Sequence, residues 1–463
     1  MNLTRAEILA LVAMAFGVFM DGLDASIVNI ALPSIAESFG ADANSVAWVT
    51  IVYFMMNAGL MLSFGRLSDS GHIKKVYIAG FAIFALSSLA CGLSWDLGSL
   101  VASRIAQGLG AAMLAAVAPM ICVRFLSRDK LGLGMSILML SGAVGFCSGP
   151  IVGGVLVDVA SWHWAFFINV PIGIGAVALA MRCLPKDRET TASKLDLKGT
   201  ALLFVAVICG VYAMEMFSRE GQGMICIALT VAMVLCLVLL VHVERRAAHP
   251  MLDIGMFRDW RFDSSVLTYL MINICYMGIA YIIPFYMTKE LGLSYTFAGL
   301  LILIPSVVVI LVSVPIGRYG DIHGRRMLSI MATVVLLASA IFYAVLVPEM
   351  GWLPFVAVGI MGGVVWGLCG AVASRIVDLS PESERGMAST LSNFLYYTGG
   401  SIGTAMFASL VTLGSGTAGI PIDLISPEEF MDGYTFAMIF AVVASVLAVI
   451  SAAIVNEKKV KLS

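Results

Sequence analysis

Apolar runs of membrane-spanning length recur along the whole of this chain, and that recurrence limits its fold more than any other feature. A helix crossing the hydrocarbon needs about 20 mostly apolar residues. The first six such segments fall at about 8–31, 44–64, 76–94, 99–122, 134–156 and 162–182. A pair follows at about 199–217 and 224–242. Six more lie at about 265–288, 296–316, 327–347, 353–375, 388–412 and 433–455. Backbone amides in lipid must be satisfied internally, so only helices or closed barrels cross, and runs this long and this apolar are helices. Composition agrees: 60% of the 463 residues are hydrophobic and 12% charged, against about 25% charged in soluble domains. The expected fold class is therefore an all-α membrane protein with about 14 transmembrane helices. The run after Met1–Glu7 ends in no small-residue cleavage site and is read as a retained first span.

Loop charge orients the spans. With the N-terminus in the cytoplasm, all of the 27 Lys and Arg except Arg104, Arg219 and Lys289 fall on the cytoplasmic side. That is the positive-inside bias, and one missed span near the middle would destroy it. The expectation is a multi-pass protein of a prokaryotic cytoplasmic (inner) membrane, partnered by the lipid bilayer, with both termini cytoplasmic. A net charge of −2 offers no case for a nucleic-acid partner. The nine cysteines, Cys91, Cys122, Cys147, Cys183 and Cys369 among them, form no CxxC pair or Cys/His cluster. They read as small packing residues, with no metal site and no disulfide framework expected.

The order of six spans, two spans and six spans suggests related halves. Gly65-Arg-Leu-Ser-Asp69 after the second span resembles Gly317-Arg-Tyr-Gly-Asp321 after the tenth, and each runs into a basic pair, Lys74-Lys75 and Arg325-Arg326. The expected division is an N-terminal six-helix half (1–190), a two-helix insert (191–248) and a C-terminal six-helix half (249–463). Related halves are the usual build of secondary transporters, with the substrate site at the midplane.

Four motifs carry a family resemblance. The first span holds Leu23-Asp24-Ala-Ser-Ile-Val-Asn29-Ile-Ala-Leu32-Pro33, and the loop pattern above follows the second. The fourth holds Arg104-Ile-Ala-Gln107-Gly108-Leu-Gly110, and the fifth Gly145-Phe-Cys-Ser-Gly149-Pro150-Ile-Val-Gly153-Gly154. In this order the chain resembles the 14-span drug/proton antiporters of the major facilitator superfamily over essentially its whole length. The resemblance implies the major facilitator fold, with the two extra helices in the centre. One departure stands in the first loop: His72 occupies a place where the pattern has a second glycine, kept in the second loop as Gly324.

The motifs also have direct physical readings. Asp21 and Asp24, three apart, share one helix face. A carboxylate inside a span is costly and marks a functional site by default, and burial beside a second carboxylate suits a group that binds and releases protons. The resemblance maps its proton-coupling acid onto Asp24; Asp21 is an addition that the signature does not supply. Arg104 lies at a depth similar to Asp24, and the resemblance ties it to proton translocation; a static ion pair between spans is the other reading. Gly145, Gly149, Gly153 and Gly154 permit close helix approach and Pro150 a bend, and the resemblance implies an interface favouring export. Gly65, Asp69, Lys74, Asp321 and Arg325 read as conformational latches, carboxylates and cations set against helix ends.

Candidate substrate residues are Asn29, Tyr269, Asn273, Tyr276, Asn393 and Tyr397, with Tyr281 and Tyr396 beside them. The 28 methionines add adaptable apolar surface. Glu215 reads as interfacial. Arg375 and Asp378 read either as a local gate pair or as a solvated helix end. No catalytic grouping and no Walker sequence stands out, and no cofactor is expected beyond H⁺ as coupling ion. The leading expectation is a proton-coupled exporter of small amphipathic compounds, cations foremost, acting as a monomer. The alternatives are a narrow exporter of one metabolite, lipid or antibiotic and, from another class, a membrane sensor or enzyme without transport.

Overall fold

The computed structural model describes residues 4–69, 72–125, 131–183, 187, 197–217, 221–246, 254–381, 385–420 and 424–454. Helices dominate it. In the first part of the chain they are α1 (Arg5–Phe39), α2 (Ala43–Asp69), α3 (Ile73–Gly92), α4 (Leu97–Phe125), α5 (Leu131–Val159), α6 (Trp164–Phe167) and α7 (Asn169–Cys183). α8 (Leu197–Phe217) and α9 (Gly223–Glu244) form the central pair. There follow α10 (Trp260–Phe285), α11 (Tyr295–His323), α12 (Arg326–Met350), α13 (Pro354–Asp378), α14 (Arg385–Ser415) and α15 (Pro427–Ile454). Counting α6 and α7 as one broken segment, every expected span has a helix. Twelve of these, among the described residues, are long and apolar enough to cross a bilayer.

Local chemistry sets the ends and the breaks. Thr4 and Glu7 form a capping box at the start of α1, and Gly40 closes that helix at φ 56°, a left-handed turn that suits glycine. Asp96 starts α4 by accepting from the Ser99 amide at 2.6 Å, and that bond holds its carboxyl below the usual range. The sixth expected span is interrupted after Phe167. Pro171 is the cause: it has no amide to donate to the carbonyl four residues back, and its ring crowds that carbonyl. The chain therefore restarts as α7 at Asn169, which is fully buried.

The chain packs as two units. The first comprises Met1–Val205 with Leu293–Leu300 and Pro421–Asp423; the second comprises Ala206–Gly292, Leu301–Ile420 and Leu424–Ser463. Within the first, α1 lies along α5, and α4 packs on both α2 and α3. The α1–α5 contact is made by missing side chains. A Cβ on Gly145 would strike the Phe19 carbonyl, one on Gly149 the Ser26 hydroxyl, and one on Gly153 the Ile30 side chain. Gly154 and Pro150, on the same helix, meet the backbone of Tyr295, Thr296 and Gly299.

The second unit repeats this plan with its own residues. α10 lies along α14, where Gly278 receives the Phe407 ring and Gly403 the Ile274 carbonyl. On α13, Gly359, Gly363 and Gly367 admit Ile304, Pro305, Val308 and Val312 of α11. Its core gathers Tyr269, Ile272, Cys275, Leu336, Leu368 and Leu391. The pairing of α1 with α5 and α2 with α4 in the first unit is thus matched by α10 with α14 and α11 with α13 in the second.

Candidate functional site

A fully buried polar cluster of the first unit centres on Asp24, about halfway along α1. Asp24 is 0% exposed and Arg104 1%. Arg104 Nη1 donates to Asp24 Oδ2 at 2.6 Å and to Gln107 Oε1 at 2.7 Å, while its Nε donates to the Val49 carbonyl at 3.0 Å. The other carboxylate oxygen, Oδ1, accepts from Gln107 Nε2 at 2.8 Å and Asn169 Nδ2 at 2.9 Å. Gln107 Nε2 also donates to Ser88 Oγ at 2.8 Å, and Cys91 Sγ–H points at Gln107 Oε1 at 3.5 Å. The guanidinium lies over the Tyr53 ring, 4.1 Å from its centroid, with Phe166 at 5.8 Å.

Helix geometry places these groups. Arg104 and Gln107 are three apart on α4 and share a face, and the α6–α7 break sets Asn169 at the helix start, facing α1. A buried ion pair is a poor source of net stability, because desolvation offsets most of the attraction. Removing one member, by contrast, strands a charge at several kcal/mol. Three donors on one carboxylate suit its ionised form, and a proton there would leave Arg104 without its counter-charge. The cluster thereby ties α1, α2, α4 and α7 together.

The structure joins Asp24 to Arg104 and gives Asp21 a separate partner. Asp21 is half-buried and accepts from Tyr53 Oη at 2.6 Å. Tyr53 thus touches both: its hydroxyl holds Asp21 and its ring carries Arg104. Asn169, Tyr53 and Ser88 join the site without a motif to announce them, and Cys91, expected as a packing residue, also reaches Gln107. Asn169 had a usable signal, a lone amide in the apolar run Phe166-Phe-Ile-Asn-Val-Pro171.

The remaining expected residues fall in separate places. Asn29 is half-buried on α1. In the second unit Asn273 donates to the Tyr269 carbonyl at 2.8 Å and lies against Gly399, so α10 and α14 hold it. Tyr276 packs on Trp366, 5.5 Å between centroids, and Tyr281 on Phe285. Tyr397 is buried beside Tyr396, whereas Asn393 is exposed. Lys74 donates from Nζ to the Met181 carbonyl at 2.7 Å, and its amide and that of Lys75 donate to Asp187 at 2.8 and 3.1 Å. The side chains of Asp69, Asp321 and Glu215 and the surroundings of Gly65 lie outside the described residues. Asp378 pairs with Arg325, the residue at the N-cap of α12, which also donates to the Ser374 carbonyl at 3.2 Å. The ion pair of Asp378 therefore links α12 to α13 instead of joining it to Arg375 one helical turn away.

Comparisons with known proteins agree with this architecture. The chain is 29% identical over 413 residues to the multidrug resistance protein Stp of Mycobacterium tuberculosis, covering 88% of this chain and 76% of that protein. It is 30% identical over 458 residues to the cephamycin export protein CmcT of Amycolatopsis lactamdurans, covering 96% and 93%. Its fold matches the inward-facing, unoccupied crystal structure of a bacterial homologue of the lysosomal transporter Spinster, with TM-score 0.68, 12% identity and 98% of each chain covered. The family model described as Major Facilitator Superfamily matches residues 14–404 and 264–461. This chain belongs to the Major Facilitator Superfamily, a transporter fold of membrane-spanning helices.

Proposed function

We propose that this transporter is a proton-coupled exporter of small amphipathic compounds, cations foremost, with Asp24 as the proton-binding group. The observation that carries the proposal is the fully buried Asp24–Arg104 pair. Protonation of Asp24 removes the counter-charge of Arg104, and a buried unpaired guanidinium drives the helices to another arrangement. Loss of the proton to the opposite side resets the cycle. A ligand moves such an equilibrium only by its differential affinity for the two states, and the proton has that here. The similarity to multidrug resistance protein Stp supports export of more than one compound.

On this reading the chain works as a monomer in a prokaryotic inner membrane with both termini cytoplasmic, as its loop charge favours. Residues 1–190 and 249–463 are the two halves and 191–248 the insert. Asn29, Tyr269, Asn273, Tyr276, Asn393 and Tyr397 contact substrate. Gly145–Gly154 acts in export, and Gly65, Asp69, Lys74, Asp321 and Arg325 act in gating. The likeness to cephamycin export protein CmcT favours a second reading, a narrow exporter of one compound. Dye efflux in energised inverted vesicles separates the two. Movement of several unrelated cations that a protonophore abolishes supports the first, and no dye movement in vesicles holding normal amounts of protein supports the second.

A further inference from the structure

We propose that Asn169 is a two-way hydrogen-bond partner of Asp24: its amide donates to the ionised carboxylate and, turned over, accepts from the protonated one. The proposal rests on the reading of Asp24 as the coupling acid and adds a residue that the family motifs quoted above do not contain.

The argument starts from what a protonated Asp24 would need. The proton, taken from water, forms an O–H bond on a carboxylate oxygen and becomes a donor in a site built of donors. Arg104 has no acceptor atom. Gln107 already spends its Oε1 on Arg104 Nη1 at 2.7 Å and Cys91 Sγ at 3.5 Å. Asn169 differs: its Nδ2 bonds Asp24 Oδ1 at 2.9 Å, while its own Oδ1, fully buried, has no hydrogen-bond partner. A buried acceptor left unmatched is costly and calls for an explanation. Rotation of the amide about its soft terminal torsion exchanges Nδ2 for Oδ1 at the same distance from Asp24. The side chain then accepts the new O–H. Each protonation state of Asp24 therefore finds a matched partner in one asparagine whose backbone is fixed by the Pro171 break.

Other titratable groups around Asp24 are Asp21 on its own helix, Tyr53 on α2, Cys91 on α3 and Arg104 on α4. Asp158, near the end of α5, is occupied by the Tyr295 and Thr296 amides at 3.1 and 2.7 Å. α6 carries no titratable side chain, and the only charged residue of α7, Arg182, is in its last turn. None of these offers Asp24 a spare acceptor bonded to it already, as Asn169 does.

Infrared difference spectroscopy of the purified full chain, titrated with pH, reads this directly. The carboxyl band removed by Asp24→Asn identifies the group. In Asn169→Leu, which keeps the branched outline of asparagine without its polar atoms, that band is expected at higher wavenumber, because the O–H has lost its acceptor. Its titration midpoint is expected about one pH unit higher, because the ionised form loses the stronger, charge-assisted bond. Asn169→Ser, whose hydroxyl both donates and accepts, brings both readings back towards wild type; Asn169→Ala replaces the leucine variant if that does not fold. An unchanged band and midpoint in the leucine or alanine variant overturn the role of Asn169 and leave Asp24 as coupling acid. Absence of any band sensitive to Asp24→Asn overturns both.

Discussion

At the scale of single residues, the cluster around Asp24 shows which groups a sequence reveals and which it hides. Asp24 and Arg104 stood out because a charge inside an apolar run has no cheap explanation. Ser88, Tyr53 and Asn169 are neutral, and neutral polar residues in spans usually bond their own helix, as Ser87 and Ser141 do. Their convergence on the cluster around Asp24 is set by tertiary packing, which spacing along the chain does not encode. Arg375 and Asp378 show the same limit: a spacing of three left a local pair and a solvated helix end both open, while the neighbouring helix supplied Arg325. The ion pair also yields a stability prediction. Arg104→Ala should destabilise the protein by about 3–5 kcal/mol, since it strands a buried carboxylate. The double change with Asp24→Asn should recover much of that loss, measured by thermal unfolding in detergent. Full additivity of the two single losses would show that the pair is not coupled.

At the scale of elements, small residues and helix ends position the site. The glycines of α5 were legible as close-packing residues, but their partner was not; the structure sets Gly145, Gly149 and Gly153 against α1. α1 carries Asp24, so this seam fixes the carboxylate in depth and rotation. Gly149→Val drives its Cβ into the Ser26 hydroxyl and the Ile27 amide and should cost about 1–3 kcal/mol or more by overpacking. Gly175→Ala on α7, where an added Cβ would meet nothing within 4 Å beyond its own stretch of helix, should be neutral or stabilise by about 0.5–1 kcal/mol. Thermal midpoints of the two variants test the contrast, and equal midpoints would refute the packing account. Asp187 accepts from the first amides of α3, and Asp187→Ala should cost about 1 kcal/mol as a lost helix cap. The α6–α7 break was missed as a feature of the sixth span, although Pro171 gave its chemical reason.

At the scale of the whole molecule, the all-helical membrane fold was readable because lipid enforces long apolar helices; among the described residues twelve helices are long and apolar enough to cross, against fourteen expected spans. The matching inner packing of the two units, α1 with α5 and α10 with α14, comes from glycine positions that the loop motifs did not reveal. Topology remains a direct prediction. A cysteine placed at Lys186 should react with a membrane-impermeant maleimide only from the cytoplasmic side, and one at Arg219 only from the outside. Labelling of both from one side would overturn the proposed orientation. The substrate residues were least legible, because tyrosine, asparagine and methionine serve packing as readily as binding.

The central claim is that proton movement and substrate movement share Asp24. The direct measurement uses purified protein in liposomes with a pH-sensitive dye inside and ethidium added outside under an imposed pH gradient. Wild type should exchange protons for ethidium, and Asp24→Asn should carry no ethidium-dependent proton flux while remaining folded. Ethidium-dependent proton flux at the wild-type rate in Asp24→Asn would contradict the account.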